Sequence, residues 1–278
     1  MTTPVFELKE VTYCYAGEIV ALDGIDLAVR QGESVVILGA NGSGKSTLLR
    51  LLDGLIFADQ GTVAAFGEPL TEERLEEADF RRFFRSRVGF LFQNPDIQLF
   101  SPTVREEIAF GPLQLGLAPD EARQRVEDVL AWLGIGGLGE RSPLQLSGGE
   151  KKKVAIAAVL AMNPEVLLLD EPTAALDPRS RHWFLDLAQE LGRVGKTVVT
   201  ATHDLDFAER TGTRVVAVGE AHRVVADGPP AEILSDRALL VGANLIHPGD
   251  PCRLSPPAGA PKLPPPYPFA AECKRRRW

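Results

Sequence analysis

A glycine-rich loop between an apolar run and a helix-forming segment is the feature that most constrains how this chain folds. Residues 34–38 have the composition of a strand that is buried on both faces, and residues 47–52 continue as a predicted helix. The connecting loop fits the pattern G-x-x-x-x-G-K-[ST]. Its residues are Gly39, Ala40, Asn41, Gly42, Ser43, Gly44, Lys45 and Ser46, followed by Thr47. The strand–loop–helix setting favours a phosphate-binding loop over a glycine-rich turn with a solvated lysine.

The residue types in this loop match the chemistry of a nucleotide. Glycines allow the backbone N–H groups to approach phosphate oxygens, and the helix contributes its positive N-terminal end. The Lys45 ammonium is expected to reach the β- and γ-phosphates of ATP, and the Ser46 hydroxyl to ligate Mg²⁺. The loop therefore predicts a site for ATP with Mg²⁺ as its cofactor.

Two carboxylates follow a second predicted buried strand, residues 166–169. Ligands of open α/β sheets bind at the carboxyl ends of the strands, and Asp170 and Glu171 stand at such an end. Asp170 is expected to act as a metal-site residue, and Glu171 to polarise the attacking water. An acidic pair that merely opens a loop is the alternative, but the phosphate loop makes it less favoured.

Alternating strands and helices predict an α/β fold with a parallel sheet. Hydrophobic periodicity predicts strands at 5–13, 26–29, 34–38, 88–92, 166–170, 197–202 and 214–218. Residues 71–87, 119–133 and 179–191 are predicted helices, the second capped by Asp120 and ended by Gly134. Residues from about 95 to 160 are read as a mostly helical insertion.

Composition narrows the functional classes. The net charge of −8 over 278 residues argues against a general nucleic-acid binder, which would be basic. Cys14, Cys252 and Cys273 lack metal-ligand spacing, as expected in a reducing compartment. Apolar runs are too short to cross a bilayer, and no signal peptide is recognised. We therefore expect a cytosolic protein that reaches a membrane only through a partner.

The last segment, residues 247–278, differs from the rest of the chain. It is rich in proline and ends in Lys274-Arg275-Arg276-Arg277-Trp278. This composition predicts an extended or disordered tail. A solvated tail is favoured over contact of its basic end with anionic lipid headgroups.

A third motif, Leu146-Ser147-Gly148-Gly149-Glu150, precedes a helix-forming segment. Ser147 and Glu150 have capping-box spacing, and by itself such a pattern usually marks only a helix start. With the loop and the two carboxylates, however, it resembles the signature motif of the ABC ATPases. The resemblance extends from about residue 5 to residue 235.

Further residues resemble the landmarks of that family in order along the chain. Gln93 resembles the Q-loop glutamine, which touches Mg²⁺, Asp177 the D-loop aspartate, and His203 the switch histidine. Tyr15 resembles the aromatic residue that stacks on adenine, with Tyr13 on the same strand face as the competing candidate. Glu150 and Lys153 depart from the pattern, because many members have Gln and Arg there.

The resemblance implies an architecture and a mechanism. It implies a P-loop NTPase core with a mostly parallel sheet, an antiparallel β subdomain and an inserted helical subdomain, together forming residues 1–246. Two such domains pair head to tail around two ATP molecules, so Ser147 and Gly149 would contact the γ-phosphate held by the other subunit. Glu171, His203 and Gln93 would then serve ATP hydrolysis.

Residues 93–104 and 110–113 resemble the corresponding segments of the ATPases of energy-coupling-factor (ECF) and cobalt/nickel importers. This implies an integral membrane transporter subunit as partner and a position at the cytoplasmic face of the membrane. Leu99 and Phe100 suit a docking groove there, although packing inside the helical subdomain carries equal weight. The transported substance and the choice between homodimer and heterodimer stay open.

Other functional classes fit less well. A chromosome-maintenance ATPase would need a long coiled coil between loop and signature, and no heptad pattern is seen. A translation-type ABC protein usually carries two nucleotide domains, and a non-hydrolysing module would be expected to lose Glu171 or Lys45. The ATPase of another ABC transporter class, or a soluble ABC ATPase, remains the alternative.

Overall fold

A computed structural model describes residues 4–250 and 267–269. The strands are β1 (Phe6–Tyr15), β2 (Ile19–Val29), β3 (Ser34–Leu38), β4 (Gln60–Ala65), β5 (Glu68–Pro69), β6 (Val88–Leu91), β7 (Val166–Asp170), β8 (Thr197–Thr202), β9 (Arg214–Val218) and β10 (Val224–Gly228). The α-helices are α1 (Lys45–Leu52), α2 (Glu72–Glu76), α3 (Ala78–Arg85), α4 (Val104–Gln114), α5 (Pro119–Trp132), α6 (Gly148–Ala161), α7 (Pro178–Arg193), α8 (Leu205–Thr211), α9 (Pro230–Ser235) and α10 (Arg237–Gly242). Within the described residues, no helix is both long and apolar enough to span a membrane.

The larger sheet has six strands in the order β10-β9-β3-β8-β7-β6. All neighbouring pairs are parallel except β10, which pairs antiparallel with β9. The strands β3, β7 and β8 are buried along their whole length, as expected for a sheet covered on both faces. Because β8 lies between β3 and β7, the carboxyl ends of these three strands meet at one edge.

A second, antiparallel sheet has the order β2-β1-β4-β5. Its inner face shares an apolar core with α1, α3 and the larger sheet. The strand predicted near 26–29 is the end of the longer β2. The sequence reading did not identify β4, β5 or β10, which are short or only partly buried.

A helical insertion runs from a 3₁₀ turn at Pro95–Ile97 to the end of α6. It has its own apolar core, which continues onto α7 and the strands of the larger sheet. Thr103 and Glu106 form a capping box at the start of α4. The expectation that Asp120 caps α5 is wrong, because the helix begins at Pro119 and Asp120 lies inside its first turn. The N-cap position is Ala118, which makes no side-chain capping hydrogen bond. Proline suits that first position, since its fixed φ is helical and its missing N–H is not needed there.

The proline-rich tail departs from expectation at two residues. Tyr267 and Phe269 are 2% and 4% exposed and belong to the core of the helical insertion. Aromatic rings bury enough apolar surface to order a short segment that is otherwise poor in core-forming residues. Residues 251–266 and 270–278, which include the basic end, lie outside the described part of the chain.

Candidate functional site

The glycine-rich loop connects β3 to α1 and is shaped by contacts that only glycine permits. Gly44 precedes α1 with a φ of 102°, and a Cβ atom there would lie 2.2 Å from the carbonyl oxygen of Ala21. At Gly39, a Cβ atom would lie 2.5 Å from Ser43 Oγ. The backbone therefore lies close against β2 where it enters α1, an approach that a side chain would prevent.

Lys45 is the buried cation of this loop. Its ammonium donates to the carbonyl oxygens of Gly39 and Ala40 at 2.8 and 2.9 Å, and lies 3.7 Å from Glu171 Oε1. Burial lowers the pKa of Lys45, while Glu171 and Asp170 act in the opposite direction. A positive group held in this way at a helix N-terminus is suited to bind phosphate oxygens.

Asp170 and Ser46 place two side-chain oxygen atoms, both possible metal ligands, next to the loop. The Ser46 hydroxyl donates to Asp170 Oδ1 at 2.8 Å, which joins the start of α1 to the end of β7. Burial raises the pKa of the Asp170 carboxyl, the Ser46 hydrogen bond lowers it, and the neighbouring Glu171 raises it further. Hydroxyl and carboxylate oxygens are hard ligands of the kind Mg²⁺ accepts.

Glu171 is held from several sides. Thr202 Oγ1 donates to its Oε2 at 3.0 Å, and His203 Nδ1 lies 2.9 Å from its Oε1. Its backbone has a φ of 43°, in the left-handed region that a residue with a side chain adopts only at a cost. Such strain is found where a fold holds a side chain in one orientation. Here Thr202, the last residue of β8, and His203 hold the Glu171 carboxylate.

A pocket of about 470 Å³ opens over this cluster. That volume falls within the roughly 300–1,000 Å³ usual for small-ligand sites. It is lined by Tyr15, Ile19, Val20, Ala21, Asn41, Gly42, Gly44, Lys45, Ser46, Thr47, Gln93, Glu171 and His222. The pocket thus has an aromatic and apolar end formed by β1 and β2 and a polar end formed by the loop.

Between the two candidate tyrosines, only Tyr15 lines the pocket. Its hydroxyl lies 3.1 Å from Thr47 Oγ1 and accepts from Arg50 Nη1 at 3.3 Å. The Tyr13 ring packs edge-on against it with centroids 5.0 Å apart. The geometry therefore favours Tyr15 as the base-stacking residue and leaves Tyr13 as its support.

The sequence reading missed several residues of the site. Ile19 and Val20 face the pocket because Ile19 pairs with Tyr15 across the β1–β2 hairpin. The turn residues Ala16-Gly17 between two strand-like segments were a signal for that hairpin. His222, on the loop before β10, carried no sequence signal.

Lys152, also missed, donates from its Nζ to the backbone oxygen of Glu171 at 2.8 Å. The side chain is buried, and burial lowers the pKa of Lys152 to about 8. It stands in a run of three consecutive lysines, and such a run is usually in contact with solvent. Only the fold shows that the middle lysine points inward.

The segment Leu146 to Glu150 does not line the pocket of its own chain. Ser147 caps α6 in the expected capping box, with Glu150 Oε2 accepting from the Ser147 N–H at 2.8 Å and from its hydroxyl at 2.7 Å. Ser147 and Gly148 are exposed. This N-terminus of a 14-residue helix therefore faces outward with its backbone donors accessible.

Asp177 lies beside this segment. It caps α7 by accepting from the N–H groups of Arg179 and Ser180, both at 3.0 Å. A Cβ atom on Gly149 would lie 3.0 Å from Ser180 Oγ. The predicted signature and D-loop residues are thus neighbours on one surface.

Exposed apolar residues mark another surface on the helical insertion. Ile97, Phe100, Phe110 and Leu113 are between 44% and 67% exposed, and the rings of Phe100 and Phe110 lie 4.9 Å apart. Leu99, by contrast, is partly buried against the insertion core. The sequence left open whether Leu99 and Phe100 are exposed or packed inside the insertion. In the structure Phe100 is exposed and Leu99 is packed.

Comparison with known proteins identifies the family. Residues 22–174 match the model of the ABC transporter family. A putative ABC transporter ATP-binding protein of Methanosarcina acetivorans is 54% identical over 246 residues, covering 87% of this chain and 89% of that protein. The nickel import ATP-binding protein NikO of Rhodobacter capsulatus is 51% identical over 88% of this chain and 96% of its own length.

Solved structures agree with this assignment. CbiO1 from Clostridium perfringens, part of an ABC transporter complex, superimposes with a TM-score of 0.74 at 36% identity, covering 88% of this chain and 96% of that one. A dimeric, post-hydrolysis ATP-binding cassette bound to ADP and Pi gives a TM-score of 0.72 at 31% identity, covering 81% and 98%. The chain belongs to the ABC transporter ATPases and is an ATP-binding subunit similar to those of cobalt, nickel and energy-coupling-factor importers.

Proposed function

We propose that this chain is the motor subunit of an importer of the ECF or cobalt/nickel type, and that ATP-driven dimer closure moves its membrane partner. The observation that carries the proposal is the joining of Lys45, Ser46, Asp170 and Glu171 at one edge of the sheet, with the signature segment facing away from them. One subunit therefore supplies a nearly complete site for ATP, and its own signature residues are available to a second subunit.

Binding of ATP follows from the two ends of the pocket. The adenine ring stacks on Tyr15 between the apolar side chains of β2, and the phosphates lie over the loop amides and Lys45. Within the described residues, Ser43 Oγ is buried without a hydrogen-bond partner, as expected of a hydroxyl placed for a phosphate group.

The donor set fits Mg²⁺. Ser46 and Asp170 place oxygen atoms beside the loop, and Gln93 lines the same pocket. Mg²⁺ commonly takes only one or two protein ligands and completes its shell with water and phosphate oxygens. When bound, it would neutralise charge on the β- and γ-phosphates.

Hydrolysis is assigned to Glu171. Its carboxylate orients and polarises the attacking water, and His203 and Thr202 hold that carboxylate in place. Catalysis then rests on positioning and charge stabilisation, with the trans contacts of Ser147 and Gly149 completing the site. ATP favours the closed dimer because only that state makes both sets of contacts.

The exposed apolar surface of Ile97, Phe100, Phe110 and Leu113 is assigned to the membrane subunit at the cytoplasmic face of the membrane. The test is uptake of cobalt, nickel and vitamins by proteoliposomes that contain this chain and its membrane partner. We expect ATP-dependent uptake of one of these substances, and ATP hydrolysis that depends on Mg²⁺. Absence of Mg²⁺-dependent hydrolysis by the purified chain would contradict the motor assignment.

A variant pair tests the docking surface. Phe100→Asp places a charge in the apolar surface and should prevent co-purification with the membrane subunit while leaving ATP binding intact. Val225→Asp is the matched control, because Val225 is also exposed, at 49%, but lies on β10. Equal loss of the partner in both variants would rule out a specific docking role.

A further inference from the structure

The short segment Tyr267-Pro268-Phe269 packs into a groove at the back of the helical insertion. Tyr267 and Phe269 are buried, and Pro268 between them is exposed at a turn, so the two aromatic side chains both reach the groove. We propose that this segment is a docking motif, and that the groove formed by α5, the end of α6 and the turn before β8 is its binding site.

Tyr267 contacts every wall of the groove. Its ring lies edge-on to Trp132 of α5 with centroids 5.0 Å apart, and Lys196 Nζ lies 5.3 Å from its centroid. Its hydroxyl donates to Asn163 Oδ1, just after α6, at 3.1 Å. A buried tyrosine whose hydroxyl finds a partner is a well-specified anchor.

Phe269 closes the other end of the groove. Its ring lies 5.5 Å from that of Tyr267, and the Arg125 guanidinium lies 5.1 Å from its centroid. Arg125 of α5 also donates to the carbonyl oxygen of Ala161 at the end of α6, at 3.4 Å. The motif therefore packs at the point where Arg125 of α5 contacts the C-terminal end of α6.

The walls of the groove belong to both subdomains. Trp132 and Asn163 come from the insertion and its exit, whereas Lys196 precedes β8 of the core. Lys196 Nζ donates to Asn163 Oδ1 at 2.6 Å, so the motif covers a polar contact that joins insertion to core. The docked motif thus straps the C-terminal end of α6 to the core, while the other end of α6 carries Ser147.

The occupant is the chain's own tail. The described part of the chain before the motif ends at Asp250, and the connection through residues 251–266 can span tens of ångströms when extended. The contacts of Tyr267 with Trp132 and Asn163 are made within one chain, so docking within one molecule is the arrangement proposed. A second copy of the chain is the competing source.

Amide hydrogen exchange of the full-length protein without nucleotide tests the strap. The double variant Tyr267→Ala, Phe269→Ala should exchange at least about tenfold faster over residues 158–164 and 194–198, because two buried rings are lost. Pro268→Ala is the matched control and should exchange like the unaltered protein. Equal exchange in all three proteins would overturn the proposal.

A peptide experiment separates docking from general destabilisation. A synthetic peptide of residues 263–271 should restore slow exchange to the double variant, and the same peptide with both aromatic residues replaced by alanine should not. Failure of the first peptide to restore protection would overturn the assignment of the groove as a binding site. Protection in the unaltered protein that disappears on dilution would overturn docking within one molecule and assign the motif to a second copy.

A separate observation concerns Lys152, which lies on the signature helix α6 and contacts Glu171. It lies one turn after Ser147 on α6, and its Nζ holds the backbone oxygen of the strained Glu171. We infer that Lys152 is a positioning residue that links the signature helix, which serves one ATP site, to Glu171, which serves the other. This inference rests on the proposed dimer mechanism.

Steady-state hydrolysis tests this link. Lys152→Met keeps the aliphatic stem but removes the donor, and should lower kcat about tenfold or more with little change in KM for ATP. The Hill coefficient for ATP should fall toward one, a change that a merely structural residue would not cause. Lys152→Arg should restore part of both values.

Lys151→Met is the matched control, since Lys151 pairs with the exposed Asp96 and, among the described residues, forms no hydrogen bond or ion pair with Glu171. If Lys152→Met and Lys151→Met hydrolyse ATP alike, the link is wrong while the motor assignment stands. If the unaltered protein does not hydrolyse ATP, the motor assignment itself fails. The two failures are therefore distinguishable.

Discussion

The N-termini of α1 and α6 carry the two motifs to which the proposed function assigns phosphate contacts, and they are built in opposite ways. At α1, Lys45 is buried and bonded to loop carbonyls, and Ser46 is bonded to Asp170. At α6, Ser147 and Gly148 are exposed, and the capping partner of Ser147 is Glu150, three residues along the same segment. The first end is finished within one chain, whereas the second offers its donors to another molecule.

This difference follows from what each helix end is asked to do. A loop that must hold phosphate before closure needs its donors preorganised by the surrounding fold. A helix end that contacts phosphate only in the closed dimer must stay accessible, so a local capping box is all that holds it in shape. Substitutions at the two helix N-termini should therefore differ in whether they impair ATP binding or dimer closure.

The largest effect is expected at the enclosed end. Lys45→Ala removes the buried ammonium and should abolish ATP binding as well as hydrolysis, because no other described cation lines the phosphate end of the pocket. Equilibrium binding of a fluorescent ATP analogue measures the first loss and phosphate release the second. Retained hydrolysis would refute the assignment of this loop as the phosphate site.

Glu171→Gln separates binding from chemistry within the same enclosed site. The amide keeps the shape and the contacts of Thr202 and His203 but cannot polarise water as a carboxylate does. We expect ATP affinity near that of the unaltered chain, hydrolysis lower by about 10²-fold or more, and accumulation of ATP-bound dimers. Sedimentation velocity with ATP detects those dimers, and normal turnover would mean that another residue is the base.

Ser147→Arg tests the open end. A long cation at this exposed position should leave ATP binding by the single subunit almost unchanged, because the segment does not line that pocket. It should block closure and reduce hydrolysis to a level near that of Glu171→Gln. Ser147→Ala is a milder variant, because it removes the hydroxyl that caps α6 and makes the proposed trans contact but adds no bulk or charge; loss of the cap alone costs about 1 kcal/mol. ATP-dependent dimers of unchanged abundance in Ser147→Arg would contradict the trans role of α6.

The same contrast explains what the sequence could and could not predict. The loop, Asp170 and the Ser147–Glu150 cap were predictable because each motif is set by neighbours within a few residues, where spacing and residue type determine geometry. The buried strands β3 and β7, which lead into the loop and Asp170, were also recognisable as apolar runs. The sequence also reduced the candidates for the base-stacking residue to Tyr13 and Tyr15, of which Tyr15 lines the pocket.

Long-range contacts were not predictable in this way. The Lys152 contact with Glu171 joins residues from separate elements, and a lysine run offers no sign of which member turns inward. Tyr267 and Phe269 stand in a proline-rich segment whose composition predicts solvation, yet two rings suffice to seat it. Asp120 failed as a cap because Pro119 determined where α5 begins.

The smallest effect distinguishes the two helices by their pH dependence. Asp53 ends α1, and its buried carboxylate pairs with Arg85 at 3.0 Å. Burial raises the pKa of Asp53 to about 7, against the opposing influence of Arg85. A folded-state pKa above the unfolded value means that the free energy of unfolding falls as pH rises from about 4 to about 7.

Asp53→Asn removes this titration. Relative to the variant, the unaltered chain should therefore lose about 1–3 kcal/mol of stability between pH 5 and pH 8, as measured by urea denaturation. Glu150→Gln serves as the control at the other helix, because hydrogen bonds from Ser147 lower the pKa of Glu150. Its contribution is present above about pH 4.5 and is lost only on acidification, so its difference from the unaltered chain should stay flat from pH 5 to pH 8. If the stability difference between Asp53→Asn and the unaltered chain were also independent of pH, Arg85 would keep the Asp53 carboxylate ionised from pH 5 to pH 8. Neither helix would then contribute a pH-dependent stability in this range.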